Sequence, residues 1–265
     1  VVQYLDGKSE VHAVTLTQQR TLMGSGEIEI GKSFNLTANY VSAPDQVAVN
    51  QQASDIVVST KSGDVYYFYR SEDQMENRQT FQPFGDLKDK TITSMNFLFG
   101  GVSLVLTNHS GVNRIFSLYE KPGDEKRLFH QTKQFEPIAG PASFYAMSVR
   151  NKAFLIGSGT QASLRFGTTE DVRWEEKLPF EVLSSVIGGK YNSIYFLDKR
   201  NKLHIYSLQD PHPEASFKAL FGKIWYEGAP APSYEWQSTG ASDDFEPKLS
   251  MVPLIIGTLK GTFYA

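Results

Sequence analysis

Cysteine is absent from the 265-residue chain. That excludes a disulfide framework, thiolate metal sites and a cysteine nucleophile, while naming no compartment. An excess of one charge is missing too: 26 Lys and Arg stand against 29 Asp and Glu, a net −3, so no basic footprint for nucleic acid or anionic lipid stands out. A membrane helix needs about 20 consecutive apolar residues, and no run of that length occurs. The five histidines (His12, His109, His130, His204, His212) lie far apart, with no H-x-x-x-H or H-E-x-x-H spacing for zinc. Apolar residues are not scarce, however, and 40% of the chain is enough for a packed core.

Helical periodicity is also lacking. Up to about residue 225 no amphipathic helix of three turns can be written, and the chain consists of short alternating or aromatic-rich runs punctuated by Gly, Asn and Asp. Tight turns recur between two apolar strands at Asp6-Gly7-Lys8, Lys61-Ser62-Gly63-Asp64, Asn108-His109-Ser110-Gly111, Gly157-Ser158-Gly159-Thr160 and Asp198-Lys199-Arg200-Asn201. Anchored on Gly7, Gly63, Gly111, Gly159 and Asn201, they are spaced by 56, 48, 48 and 42 residues. The strands expected before them are 1–5, 56–60, 102–107, 153–156 and 193–197. Those expected after them are 11–16, 65–69, 114–118, 163–166 and 203–208. The third unit supplies four strands, 92–98, 102–107, 114–118 and 128–135. A period in the forties with four strands per unit is the grammar of propeller blades, each burying its faces against its neighbours. The expected fold is therefore all-β and β-propeller-like, with about five four-stranded blades of which the first is incomplete. A linker and a short carboxyl-terminal helical segment complete the chain. A β-sandwich is the competing architecture.

Consecutive aromatics such as Tyr66-Tyr67-Phe68-Tyr69, Phe144-Tyr145 and Tyr195-Phe196 suit strands buried on two sides better than a carbohydrate-stacking surface. After Trp225 the composition changes. Glu227-Gly228-Ala229-Pro230-Ala231-Pro232-Ser233-Tyr234 is Pro-rich, and 227–247 holds Glu227, Glu235, Asp243, Asp244 and Glu246 with no Lys or Arg. The expected organisation is a β domain over 1–227, a Pro-rich acidic linker over 228–247 and the start of a helix over 248–265. The first residues read as mid-strand and the last as a helix in progress, so both ends are expected to be cut points of a longer chain.

Gly26-Glu27-Ile28-Glu29-Ile30-Gly31-Lys32-Ser33 satisfies the G-x-x-x-x-G-K-[ST] pattern of a phosphate-binding loop. Its central Glu-Ile-Glu-Ile alternates like a half-exposed strand and would set two carboxylates beside a polyphosphate. Phe34-Asn35-Leu36-Thr37-Ala38-Asn39-Tyr40, immediately downstream, is a poor helix start, so nucleotide binding is not expected. Ile194-Tyr195-Phe196-Leu197-Asp198 resembles a Walker-B run but is accounted for as a blade strand ending in its turn Asp. Gly157-Ser158-Gly159 lacks the strand-to-helix context of a nucleophile elbow. The pairs Glu175-Glu176 and Asp243-Asp244 are sequence neighbours, which on a strand point to opposite faces. No catalytic, cofactor-binding or metal-binding set is expected, and the chain is read as non-enzymatic. A propeller hydrolase would need convergent carboxylates that are not found.

Tyr234-Glu235-Trp236-Gln237-Ser238-Thr239-Gly240 and the stretch from Phe245 through Met251-Val252-Pro253-Leu254-Ile255-Ile256-Gly257-Thr258-Leu259-Lys260 to Phe263 resemble the lead-in to the transmembrane core of phosphate ABC-transporter permeases of the PstC type. In that family a Trp-containing segment precedes a Val-Pro-x-x-x-Gly-Thr-Leu element that enters the bilayer just afterwards. Trp236, Val252, Pro253, Gly257, Thr258 and Leu259 match it. The resemblance covers 234–263 alone. It implies a long variant of the family, with a β domain inserted between the first two membrane helices. The domain would lie in the periplasm and its parent in the bacterial inner membrane. Implied partners are the rest of the permease, the partner permease subunit, the separate ATPase subunit indirectly, and a periplasmic phosphate-binding protein. The alternative is a free-standing propeller scaffold of the bacterial envelope.

Overall fold

A left-handed residue stands in each recurring turn among the described residues. The computed structural model describes residues 2–3, 9–21, 24–36, 38–72, 74–237 and 246–264. In it φ is +85° at Gly63, +83° at Gly111, +59° at Gly159 and +60° at Asn201. Glycine adopts this conformation without steric penalty and asparagine more readily than most residues, so these positions reverse the chain where a bulkier residue would strain it. The turn at Gly7 lies outside the described residues.

Antiparallel sheets built from consecutive strands result from these turns. β1 (Val2–Gln3) pairs with β2 (Ser9–Glu10), and β3 (His12–Thr21) with β4 (Gly24–Asn35). β5 (Pro44–Val49), β6 (Asp55–Thr60), β7 (Val65–Ser71) and β8 (Gln74–Phe81) form a four-stranded sheet in chain order. So do β9 (Ile92–Phe97), β10 (Ser103–Asn108), β11 (Asn113–Tyr119) and β12 (Leu128–Phe135). The next is β13 (Phe144–Met147), β14 (Ala153–Ser158), β15 (Gln161–Phe166) and β16 (Asp171–Lys177). The last sheet has three strands, β17 (Val182–Ile187), β18 (Ser193–Asp198) and β19 (Leu203–Ser207). Gly63, Gly111, Gly159 and Asn201 each sit between the second and third strands of their sheet. The fold is all-β and propeller-like, as the turn spacing implies.

The opening segment differs in its pairing. The turn at Gly7 predicts that residues 11–16 pair back across it, but β3 pairs forward with β4. Val11 is buried and its carbonyl accepts from the Leu36 amide at 2.8 Å. The chain is thus fixed beside the far end of β4 before β3 begins, and the alternating apolar residues of 24–35 complete the hairpin.

Two compact units divide the chain between residues 82 and 83, and each has its own core. In the first, Val11, Leu36, Ile56, Val58, Tyr66 and Phe68 cluster. The carboxylate of Asp55, buried beside them, accepts from Tyr67 Oη at 2.5 Å, Asn50 Nδ2 at 2.6 Å and Ser54 Oγ at 2.6 Å. Burying a carboxylate is costly unless its oxygens are hydrogen-bonded, and here they are.

In the second unit the sheets bury one another. Leu98, Val105, Ile115 and Phe135 of one meet Phe154 and Ile156 of the next, whose opposite face packs Leu155, Leu164 and Phe166 against Ile187, Ile194 and Phe196. Continuous apolar strands such as Leu104-Val105-Leu106 are what such two-sided burial requires, at roughly 1.5–3 kcal/mol per large side chain buried. The loop before β9 is fixed by the Arg114 fork. Arg114 donates from Nη1 and Nη2 to the Asp86 carboxylate at 2.7 and 2.8 Å, and from Nη1 to Pro83 O at 2.7 Å. These bonds hold the Asp86 carboxyl well below its ordinary range, at about 2. The stability it adds is present above the ordinary Asp range and is lost as the pH falls toward 2.

Among the described residues helix is confined to the carboxyl end: α1 (Phe217–Phe221), whose N-cap Ser216 accepts from the Ala219 amide, and α2 (Val252–Tyr264). The turn glycines give a direct test. At Gly111 an added Cβ would lie 2.1 Å from Ile138 O, whereas at Gly159 nothing lies within 4 Å. Gly159→Ala is expected to lower stability to urea by about 1–2 kcal/mol, the cost of a left-handed non-glycine residue. Gly111→Ala is expected to lose about 3 kcal/mol or more, because the turn must also move. Equal losses in urea titrations would contradict this account of the turns.

Candidate functional site

The sequence read as an acidic linker is bound at both of its described ends. Ile224 bridges Ser233, closing a loop in which Trp225 Nε1 donates to Ala229 O at 2.8 Å, and Trp236 bridges Leu249. Gln237 N donates to Lys248 O, and Ser250 N to Glu235 O, both at 2.9 Å. Lys248 and Glu235 form an ion pair across the same ladder. The Pro residues between 230 and 232 leave few backbone donors to satisfy, which suits a loop closed by two isolated bridges.

Glu227 and Glu246 turn inward, onto the sheets. Lys152, in the turn just before β14, places Nζ 2.6 Å from Glu227 Oε2 and also donates to Phe99 O. Glu246 accepts from Thr168 Oγ1 at 2.5 Å through one oxygen and from the Glu227 amide at 2.7 Å through the other. Lys133 of β12 is buried in the same field. Burial pushes its ammonium below the ordinary lysine range, opposed by Glu246 and Glu227. Burial likewise pushes the Glu246 carboxyl up, opposed by Lys133. Because its folded value is raised, the cost of holding Glu246 charged sets in as the pH rises from its ordinary range through that raised value. Glu227 Oε1 is buried without a hydrogen bond. A strand lysine and a turn lysine thus face two glutamates from the tail, an arrangement suited to fixing a segment and not to proton transfer with a ligand.

The fixed tail delivers α2. The Met251 amide donates to Leu220 O at 2.8 Å, and the helix begins at the next residue. None of its residues is buried: Leu254, Ile255, Ile256, Leu259 and Phe263 are all exposed, the last by 86%. Its two hydroxyls close on its own backbone, Thr258 Oγ1 to Leu254 O at 2.9 Å and Thr262 Oγ1 to Thr258 O at 3.0 Å. Lys260 is its one charged residue. Among the described residues no helix is long and apolar enough to cross a membrane.

The motifs singled out in the sequence do not converge. Residues 26–33 run inside β4, where Lys32 O accepts from Thr15 Oγ1, so an extended strand occupies the place of a phosphate-wrapping turn and its helix. Asp198 ends β18 and accepts from the amides of Arg200 and Lys202 at 2.8 and 2.9 Å. Four histidines pair with a carboxylate close in sequence: His12 with Glu10, His130 with Asp124, His204 with Asp198 and His212 with Glu214. Among the described residues no three His, Asp or Glu side chains gather as a metal site. Glu175 and Glu176 are neighbours on β16, and Asp243-Asp244 lies outside the described residues. The residues that sequence reasoning missed are Lys133, Lys152 and Thr168. Only Lys133 carried a signal, since it alternates with Phe135 and so shares its inward-facing side of β12.

No protein-family description matches the chain, and no curated protein matches it. Solved structures do. A chain of the Mitotic Checkpoint Complex matches with a TM-score of 0.51 at 12% identity, over 69% of this chain and 59% of its own. A β-propeller domain from Myceliophteria thermophila matches with a TM-score of 0.49 at 9% identity, over 63% of this chain and 54% of its own. This chain has a β-propeller-like fold. At 12% identity the likeness to the Mitotic Checkpoint Complex chain bears on the fold alone, and the matches span less than two thirds of either structure's length.

The tail cluster is open to test. Lys152→Met would leave Glu227 buried without its cation, and loss of one partner of a buried pair costs about 3–5 kcal/mol. Urea unfolding followed by tryptophan fluorescence should show that loss, with Trp225 and Trp236 reporting release of the tail. Adding Glu227→Gln should restore part of it. A single variant as stable as the parent would mean that the cluster does not hold the segment.

Proposed function

We propose that the chain is a non-catalytic domain of an ABC-transporter permease subunit for phosphate import. The domain stands in the periplasm, and α2 continues into the membrane-embedded core. The observation that carries the reading is α2. An apolar helix with none of its residues buried is out of place on a water-facing surface, whereas in lipid its one requirement is that backbone and hydroxyl groups be satisfied internally. Thr258 and Thr262 meet that requirement within the helix. Trp236, Val252, Pro253, Gly257, Thr258 and Leu259 supply the sequence resemblance, and the buried cluster supplies a firm joint between blades and helix.

In this role the domain does not form the translocation path, which membrane helices build. It acts by docking a partner or limiting access, and any such effect comes from binding one transporter state better than the other. The phosphate-binding protein and the partner permease subunit are the partners of first interest. The experiment is to delete residues 1–225 from the intact permease, rejoin the flanking segments through a short linker and measure phosphate uptake. Uptake should change in rate or in its dependence on the binding protein. Unchanged rate, affinity and dependence would leave the domain a passenger, and transport of a different solute would defeat the permease assignment.

A further inference from the structure

The last sheet is unlike the other three larger ones in two ways. The sheets beginning at β5, β9 and β13 each end in a fourth strand, but among the described residues none pairs with the outer edge of β19. In the two complete sheets of the second unit, the middle strands are buried on both faces, whereas β18 buries alternate residues only and β19 alternates half-buried with exposed ones. Ile194, Phe196 and Tyr206 point into the core. On the other face Val186 pairs with Tyr195, and Tyr195 with Ile205, giving one apolar row across all three strands. Val186 is 60% exposed and Ile205 63%, with Leu203 beside it at 57%.

The three fourth strands carry the devices that blunt an edge. Each pairs through a bulge, between Tyr67 and Phe68, Ile115 and Phe116, or Leu164 and Arg165. Each also bears charge: Glu76 and Arg78 on β8, Lys133 on β12, and Arg173, Glu175, Glu176 and Lys177 on β16. Bulges, charges and proline are how sheets avoid pairing with other chains. β19 reads Leu-His-Ile-Tyr-Ser, without charge or proline, and pairs with β18 in unbroken register.

We propose that the edge of β19 pairs antiparallel with β19 of a second copy of this chain, completing both sheets. Antiparallel pairing of one strand with itself generates a two-fold axis. Centred on Ile205, it sets Leu203 opposite Ser207 of the partner copy and His204 opposite its Tyr206. The exposed row Val186, Tyr195, Ile205 then continues into the same row of the partner copy, so the new interface extends the strand order already present. This pairing stands independently of the permease reading, since it uses no part of α2.

The full chain is suited to the test because it contains no cysteine. Sedimentation equilibrium should show a species of twice the 29.7 kDa chain mass that forms with rising concentration. Ile205→Lys should weaken it by about tenfold or more, since like charges then face each other across the ladder. Leu254→Lys, on the exposed helix, should leave it unchanged. Mild oxidation of Ile205→Cys should give a covalent dimer, and of Leu254→Cys none. The crosslinking result decides the matter if Ile205→Lys disturbs folding, which circular dichroism would reveal. A monomer across the concentration range, a dimer that survives Ile205→Lys in a folded protein, or crosslinking through position 254 alone would each overturn the proposal.

Discussion

Two-sided burial is the constraint on which the rest of the structure depends. A small antiparallel sheet whose middle strands read Leu104-Val105-Leu106 or Phe154-Leu155-Ile156 cannot present either face to water. The sheets of the second unit therefore bury faces against one another, and the chain provides for it by repeating one unit. Tight left-handed turns keep the strands short and the repeat regular, while cross-links between sheets, such as Tyr145 Oη donating to Phe97 O at 3.2 Å, fix neighbouring sheets in register. Where the repetition stops, an apolar face is left over, which is why β17 to β19 differ from the sheets before them.

The carboxyl-terminal segment meets a different requirement. Its residues cannot add a sheet, and its carboxylates are carried inward by a chain pinned at Ile224 with Ser233 and at Trp236 with Leu249. Lys133 and Lys152 make that burial tolerable, and the helix that emerges has no cover of its own. A rigid joint leading into an uncovered apolar helix is a sensible arrangement for a domain that must transmit its position to something apolar.

The fold was legible because its signals are local. Gly63, Gly111, Gly159 and Asn201 mark the hairpins, and alternation or continuity of apolar residues marks the strands between them. The rejection of a phosphate loop at 26–33 also rested on local alternation, which β4 displays. The partner of the strand at 11–16 was not legible because a strand's pattern states that it pairs, not with which neighbour. The tail cluster was illegible for a further reason. Glu227 meets Lys152 from 75 residues away, and only the stacking of sheets brings them together. The missing fourth strand at β19 leaves no mark in a sequence whose turn spacing continues through Asn201.

Native-state hydrogen exchange measures the dependence on mutual burial most directly. Amides of β10, β11, β14 and β15, covered on both faces, should exchange last and as a cooperative group, while the β3 and β4 hairpin and α2 should exchange among the fastest. A hairpin as strongly protected as β10, or strands of neighbouring sheets that open independently of one another, would contradict the claim that these sheets are stable only through each other.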